Sequence, residues 1–276
     1  MLYSFLVNIL IVGSEGRVGS RLCKDFSKHK FNLMFTSHHL QTKDSIFLDL
    51  NEPNFKNIPS GPGTAIICAG ISRLQAINNN LAHSYFINVC QTIKLTNSLM
   101  QKGWKIVYLS SDVVFQMETY GLDSVSVLYK NYTLQKYIVE STLLSEFTNQ
   151  IKIVRLSKVL FENLELFRGA ESSNKNLLRK NHFVSPTSIA HVVLSLKEIL
   201  ESDNCLSFIC GDRYTSYYDF LYELKQECNI QLPEYTGYYA NEDEVFRFVD
   251  LDSLNGIKVY PESRSDLISF ITSNPN

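Results

Sequence analysis

The chain has 276 residues, a formal net charge of −2, 45% hydrophobic and 20% charged residues. This composition suits a globular protein with one large core or two modest ones, and it offers no basic footprint for nucleic acid. The six cysteines (Cys23, Cys68, Cys90, Cys205, Cys210, Cys228) form no C-x-x-C pair, so reduced, buried thiols are expected rather than disulfides or a metal site.

An apolar run over Phe5–Val12 opens the chain and leads straight into Gly13-Ser14-Glu15-Gly16-Arg17-Val18-Gly19. No basic segment precedes that run and no cleavage-like small residues follow it, which argues for a buried first strand rather than a secretory leader. No stretch of 18 apolar residues occurs, so no membrane span and a cytoplasmic location are expected. Each glycine has a physical use at the start of a helix over Gly16–His29. Gly13 permits the tight turn, Gly16 lets backbone approach a pyrophosphate, and Gly19 lets the helix lie close to the strand. The helix N-terminus adds amide donors and partial positive charge. A glycine-rich turn without a ligand is the plainer reading.

The second strand, Asn32–Thr36, ends at Thr36-Ser37-His38-His39. An acid that holds the adenosine ribose of NAD usually stands there, and none does. Arg17 could instead meet a 2′-phosphate, which leans the expectation towards NADPH; a solvated first-turn arginine is the alternative. Asp49-Leu50 either reaches the adenine edge or, through Asp49, caps the turn before Pro53. A strand over Thr64–Ala69 ends in Cys68-Ala69-Gly70, small residues that leave room at the strand ends for a cofactor. A helix follows over Asn79–Lys102.

The run Lys105–Leu109 is the next strand, closed by Ser110-Ser111-Asp112. A helix over Asn131–Thr148 carries Tyr132 and Lys136, four residues apart and so on one face. A nearby ammonium favours the phenolate, and Tyr132 could pass a proton to a carbonyl oxygen as hydride reaches the carbon. Lys136 would also hold the nicotinamide ribose, and Ser111 would donate to the same oxygen. Asp112 either orients substrate or caps a turn. A tyrosine four residues before a lysine also arises by chance, and each residue alone reads as a solvated helix face. Glycine loop, then serine, then Tyr-x-x-x-Lys is nonetheless the order of a nicotinamide-dependent oxidoreductase.

A strand over Ile151–Leu156 completes a strand–helix alternation, which implies right-handed crossovers in a doubly wound parallel sheet. The rhythm changes after Leu160. Asn174–Asn181 reads as an exposed loop or short helix. Pro186 ends the strand-like Phe183-Val184, and Thr187 or Ser188 can cap a helix over Ile189–Leu200. Asp219–Cys228 is helical, and the tail with Pro233, Gly237 and Gly256 reads as irregular. The expected α/β organisation is a Rossmann-like dinucleotide-binding domain over residues 1–160 and a smaller mixed region over 161–276. The six histidines (His29, His38, His39, His83, His182, His191) show no metal-ligand spacing.

These motifs resemble the extended short-chain dehydrogenase/reductases, and within them the dTDP-4-dehydrorhamnose reductase-like branch. The residues that carry the likeness are Ser110-Ser111-Asp112-Val113-Val114-Phe115, Tyr132-Thr133-Leu134-Gln135-Lys136 with Glu140, Ile153-Val154-Arg155-Leu156-Ser157, Ser185-Pro186-Thr187 and Cys210–Phe220. Asn88 matches the helix asparagine of the superfamily. The resemblance implies an NAD(P)-dependent reductase of a nucleotide-linked 4-keto-6-deoxy sugar, with a place in polysaccharide biosynthesis, and it is compatible with a homodimer. Its departures are Gln116-Met117 for Asp-Gly, Thr133 for the glycine after the tyrosine, and His191 for an acid. An epimerase that recycles NAD, and a non-catalytic NADP-binding regulatory subunit, belong to the same group and are the rival expectations. A dehydratase fits less well, because Val113 follows Asp112 where an Asp-Glu pair would be needed.

Overall fold

A glycine turn between a buried strand and a helix sets the first crossover, and the same step repeats along the chain. The computed structural model describes residues 7–39, 45–146, 150–162, 177–228, 236–239, 251 and 254–274. In chain order the strands and helices are β1 (Val7–Val12), α1 (Arg17–Phe26), β2 (Phe31–Ser37), β3 (Ile46–Phe47), β4 (Gly63–Ile67), α2 (Leu74–Asn79), α3 (Leu81–Tyr85), α4 (Thr92–Gln101) and β5 (Trp104–Ser111). They continue as α5 (Val113–Tyr120), α6 (Val127–Glu146), β6 (Ile151–Leu156), β7 (Val159–Leu160), β8 (Leu177–Arg179), β9 (Phe183–Val184), β10 (Thr187–Ser188) and α7 (Ile189–Glu201). The last are β11 (Leu206–Gly211), β12 (Thr215–Ser216), α8 (Tyr217–Cys228), β13 (Thr236–Tyr238), β14 (Lys258–Glu262) and α9 (Arg264–Ser273).

Eight strands form one sheet in the order β14-β11-β6-β5-β4-β1-β2-β3. β1 pairs in parallel with β2 and β4, β2 with β3, β4 with β5, and β11 with β14. The reversal of strand order beside β1 is the doubly wound pattern, in which ligands bind outside the carboxyl ends of the strands. Two compact units share the chain: Met1–Ser110 with Leu134–Val154 and Lys197–Cys205, and Ser111–Thr133 with Arg155–Leu196 and Leu206–Asn276. The divisions fall inside β5, α6, β6 and α7 rather than at one point along the chain.

In the first unit, Ile9, Leu10 and Ile11 are completely buried, as a strand covered on both faces requires. Leu22 and Phe26 of α1 and Leu95 and Leu99 of α4 are equally buried. Each such side chain contributes about 1.5–3 kcal/mol. Gly63 lies so close to the Trp104 ring that an added Cβ would meet it at 2.6 Å, and Trp104 Nε1 donates to the Pro59 carbonyl at 2.9 Å. The second unit has its own core, in which Leu160, Val184, Phe220, Leu224, Leu267 and Ile271 meet.

Several expectations change. The helix expected over Asn79–Lys102 is interrupted. Asn80 leaves the helical region (φ −143°, ψ 78°) and its side chain caps α3 by accepting from the His83 amide. A π-helical turn then runs over Phe86–Gln91 before α4. Leu177–Arg179, placed in a loop or short helix, is strand β8, paired with β13. The tail read as irregular holds β14, which joins the main sheet, and α9, capped by Ser263. Ser188 does cap α7, accepting from the His191 amide at 3.0 Å, but Thr187 and Ser188 also pair with β7. Phe5, Pro233, Asn174 and Thr148, named in the sequence reading, lie outside the described residues. Among the described residues no helix is long and apolar enough to cross a membrane.

Candidate active site

The glycine turn packs as its residue types require. Gly13 adopts φ +89°, and an added Cβ would meet the Ala69 backbone at 2.8 Å. Ala69 is thus the small residue that lets the first turn close on the end of β4. At Gly19 a Cβ would collide with the Gly13 carbonyl oxygen, so α1 can approach β1 only with glycine there. Gly16 precedes α1 with no capping side chain, and an added Cβ would find only the Gly13 carbonyl oxygen, at 3.4 Å. The start of α1 therefore presents backbone amides with no side chain over them, and the open cradle fits a phosphate. Val18 lies in this first turn. Arg17 has its pKa held below the usual value by partial burial and by the like charge of Arg73, which directly precedes α2.

The end of β2 is held by the glycine loop. The Gly13 amide donates to Thr36 Oγ1 at 3.1 Å and Ser14 Oγ to the Thr36 carbonyl at 2.8 Å. Glu15, in the glycine loop, accepts from Ser37 Oγ at 2.8 Å and from the His38 amide at 3.2 Å, and its carboxylate lies 2.6 Å from His38 Nδ1. Glu15, His38 and His39 thereby bring ligand-type atoms within 4.8 Å of one another. The sequence shows no such set, because Glu15 is far from both histidines along the chain. Asp49 accepts from the amide and side chain of Asn51, both at 2.8 Å; it caps a turn, and Leu50 is buried.

Asn88, on the π-helical turn, clamps the segment after β4. Its Oδ1 accepts from the Ile71 amide at 2.7 Å and its Nδ2 donates to the Ile71 carbonyl at 2.9 Å. It also donates to Gln135 on α6 at 2.8 Å. Gly70, beside it, adopts φ +149°, and an added Cβ would lie 3.1 Å from Asn88 Oδ1. Lys136, one residue on from Gln135, donates to Tyr108 Oη at 3.0 Å and to the Leu109 carbonyl at 2.9 Å. Its ammonium sits 4.6 Å above the Tyr108 ring. Burial lowers its pKa to about 8, against the opposing pull of Glu140 and Cys68. Burial also pushes the Cys68 thiol far up, so Cys68 is an inert neighbour.

The second unit holds the other catalytic candidates. Ser111 Oγ donates to Asp112 Oδ1 at 3.2 Å, and Ser157 Oγ donates to Asp112 Oδ2 at 2.9 Å. Asp112 stands at the start of α5 without capping it; its carboxylate serves the two serines. Burial raises its pKa to about 6, against the hydrogen bonds of Ser157 and Ser111 and the charge of Lys158. The hydroxyls of Tyr132 and Ser111 are hydrogen-bonded to each other. Burial, followed by the charge of Asp112, raises the Tyr132 pKa, so its phenol keeps its proton at neutral pH. Arg155, buried, makes a bidentate pair with Glu118, both contacts at 2.6 Å, and stacks 4.4 Å from the Phe115 ring. The Ile153–Ser157 motif is thereby explained: Ser157 steadies Asp112 and Arg155 steadies α5. His191, where the related branch has an acid, contacts the Tyr260 carbonyl at 3.1 Å through Nε2. A carboxylate in that neighbourhood comes instead from Glu262, which accepts from Thr187 Oγ1 at 2.9 Å and from Ser188 Oγ at 2.5 Å.

A doubly wound sheet with a glycine turn after β1, a serine closing β5 and Tyr-x-x-x-Lys on α6 defines the extended short-chain dehydrogenase/reductase class. Residues 7–237 match the family described as the RmlD substrate binding domain, and the chain belongs to that family. No curated protein matches it in sequence. Among solved structures it is similar to dTDP-4-dehydrorhamnose reductase from Bacillus anthracis in complex with NADP, with a TM-score of 0.72, 16% identity and 98% of each chain covered. It is also similar to UDP-N-acetylglucosamine 4-epimerase from Methanobrevibacter ruminantium in complex with UDP-N-acetylmuramic acid, with a TM-score of 0.76, 11% identity and 97% of each chain covered. A third, MoeE5 in complex with UDP-glucose and NAD, has a TM-score of 0.72 and 16% identity over 96% of this chain and 97% of its own. At these identities the likeness is one of fold.

Proposed function

We propose that this chain is a nicotinamide-dependent reductase of a nucleotide-linked 4-keto-6-deoxy sugar. The observation that carries the reading is the hydrogen-bonded Tyr132–Ser111 hydroxyl pair, with Lys136 one helical turn further along α6. Bound NAD(P)H would supply the hydride to the keto carbon. Tyr132 Oη gives its proton to the keto oxygen, and its raised pKa fits an acid that must arrive protonated. Ser111 Oγ turns its single proton from Asp112 to the same oxygen as negative charge grows there. Asp112 holds Ser111 in position without touching substrate. Lys136 would hold the cofactor's ribose hydroxyls and Gly16 with the first turn of α1 its phosphates, while Asn88 clamps Ile71 in the segment after β4.

An epimerase that recycles its cofactor is the second reading, favoured by the high fold similarity to the M. ruminantium epimerase. Incubation with a dTDP-4-keto-6-deoxy sugar and reduced nicotinamide separates the two. The reductase consumes the cofactor stoichiometrically, with loss of its near-ultraviolet absorbance; the epimerase leaves it unchanged. Tyr132→Phe should lower kcat by at least ~10²-fold while cofactor binding persists. Full activity in that variant would remove Tyr132 as the proton donor.

A further inference from the structure

We infer that Glu15 makes this protein select the dinucleotide with a free 2′-hydroxyl, NAD(H), over its 2′-phosphorylated form. The inference rests on the dinucleotide reading above, and it reverses the sequence expectation of NADPH. That expectation had two grounds: no acid at the end of β2, and an arginine in the glycine loop. The structure changes the first.

The acid is present, but it comes from a different part of the chain. Glu15 reaches from the glycine loop to the end of β2, where its two carboxylate oxygens are fixed by Ser37 Oγ, the His38 amide and His38 Nδ1. His39 is tied into the same knot, its amide donating to Ser37 Oγ at 3.1 Å. These residues line a cavity of about 700 Å³ together with Phe35 and Phe47. Two aromatic rings beside a carboxylate suit a purine and its ribose diol. In doubly wound folds a carboxylate at this place accepts from the ribose hydroxyls. A 2′-phosphate brings a charge of about −1.5 to −2 to the same spot, and like charges brought together there are strongly disfavoured.

Glu15 is exposed, and its carboxylate is positioned by the hydrogen bonds it accepts from Ser37 Oγ and the His38 amide. His38, the nearest cationic candidate for a 2′-phosphate, is engaged with Glu15. Arg17 lies within electrostatic reach of Arg73 in the segment after β4.

The test is calorimetric binding of NADH and NADPH to the purified protein, with a chelator present because Glu15, His38 and His39 could together hold a cation. Wild type should bind NADH at least ~10-fold more tightly than NADPH. Glu15→Gln should shrink that ratio, chiefly by gaining NADPH affinity. Ser37→Ala, which frees one carboxylate oxygen, should shrink it less. ADP-ribose and its 2′-phosphate, titrated into wild type alone, should show the same preference without any variant. Equal or tighter binding of NADPH by wild type overturns the inference while leaving the reductase reading intact. An unchanged ratio in a folded Glu15→Gln also overturns it. Failure of both dinucleotides to bind would sink the inference and the reductase reading together.

Discussion

Asn88 Nδ2 donates to Gln135 Oε1 across 2.8 Å, and Gln135 Nε2 donates in turn to Ser84 Oγ at 3.0 Å. Both amides are buried. This relay ties the π-helical turn to the residue just before Lys136, while Asn88 also clamps Ile71. Asn88→Ala would leave Gln135 Oε1 and both Ile71 backbone groups without their partner. The expected cost is about 2–4 kcal/mol, read as a lower urea midpoint with unchanged slope. Gln135→Ala should cost less, because the Ile71 clamp survives.

Ser110 and Ser111 are neighbours with opposite expected behaviour. Ser110 Oγ is buried without a hydrogen-bond partner among the described residues, so Ser110→Ala should leave activity unchanged and stability equal or slightly higher. Ser111 bonds Asp112 and Tyr132. Ser111→Ala should lower kcat by about 10²–10³-fold with cofactor affinity retained. Steady-state kinetics on the two variants decides the pair.

Asp112 makes stability depend on pH in an unusual direction. Its carboxyl is pushed up to about 6 by burial, against roughly 3.9 in the unfolded chain. Between these values the folded protein holds the proton and the unfolded chain does not. This group's contribution is therefore full below about pH 4 and is lost as pH rises through 6, a cost on the order of 3 kcal/mol at pH 8. Asp112→Asn should accordingly raise Tm above wild type at pH 8, with the difference vanishing near pH 4. Thermal melts across that range test the sign.

Lys136 titrates with the opposite consequence. Burial lowers its pKa to about 8, whereas the unfolded chain keeps the proton to roughly 10.4. Between these values the unfolded chain binds more protons, so this group's contribution to stability rises with pH. Wild type should gain stability between about pH 8 and 10 that Lys136→Met lacks. Over the same window the ammonium is lost, and binding of reduced nicotinamide cofactor should weaken in wild type.

Thr133 directly follows Tyr132 on α6. It is fully buried, and its Oγ1 has no hydrogen-bond partner among the described residues. Thr133→Val keeps the shape and the β-branch and removes the orphaned hydroxyl. Stability should rise by about 1 kcal/mol, seen as a higher denaturation midpoint, with activity unaltered.

Much of the fold was legible because its signals are local. The run Ile9–Val12 is apolar because β1 is covered on both faces, and glycines at 13, 16 and 19 mark a turn that only such a strand needs. The interruption at Asn80 was hidden, because an amphipathic pattern continues across a break that one side-chain cap and two dihedral angles create. The tail was misread because β14 and α9 are short and acquire their role by joining β11 and packing in the second core.

The candidate site divides in the same way. Tyr132 and Lys136 share a helix face by their four-residue spacing, and Ser111 follows a strand by adjacency; the sequence by itself determined these, since backbone periodicity is a property of neighbours. The acid at the end of β2 was decided only by tertiary structure. The pairing of β1 with β2 carries Glu15 to Ser37 and His38, while Ser157 reaches Asp112 and Glu262 reaches Ser188 from 45 and 74 residues away. The partner a charged or polar side chain finds depends on which strand ends the packed sheet places together. Composition and spacing carry no record of that choice, because the energy that makes it comes from burying apolar surface elsewhere in the sheet.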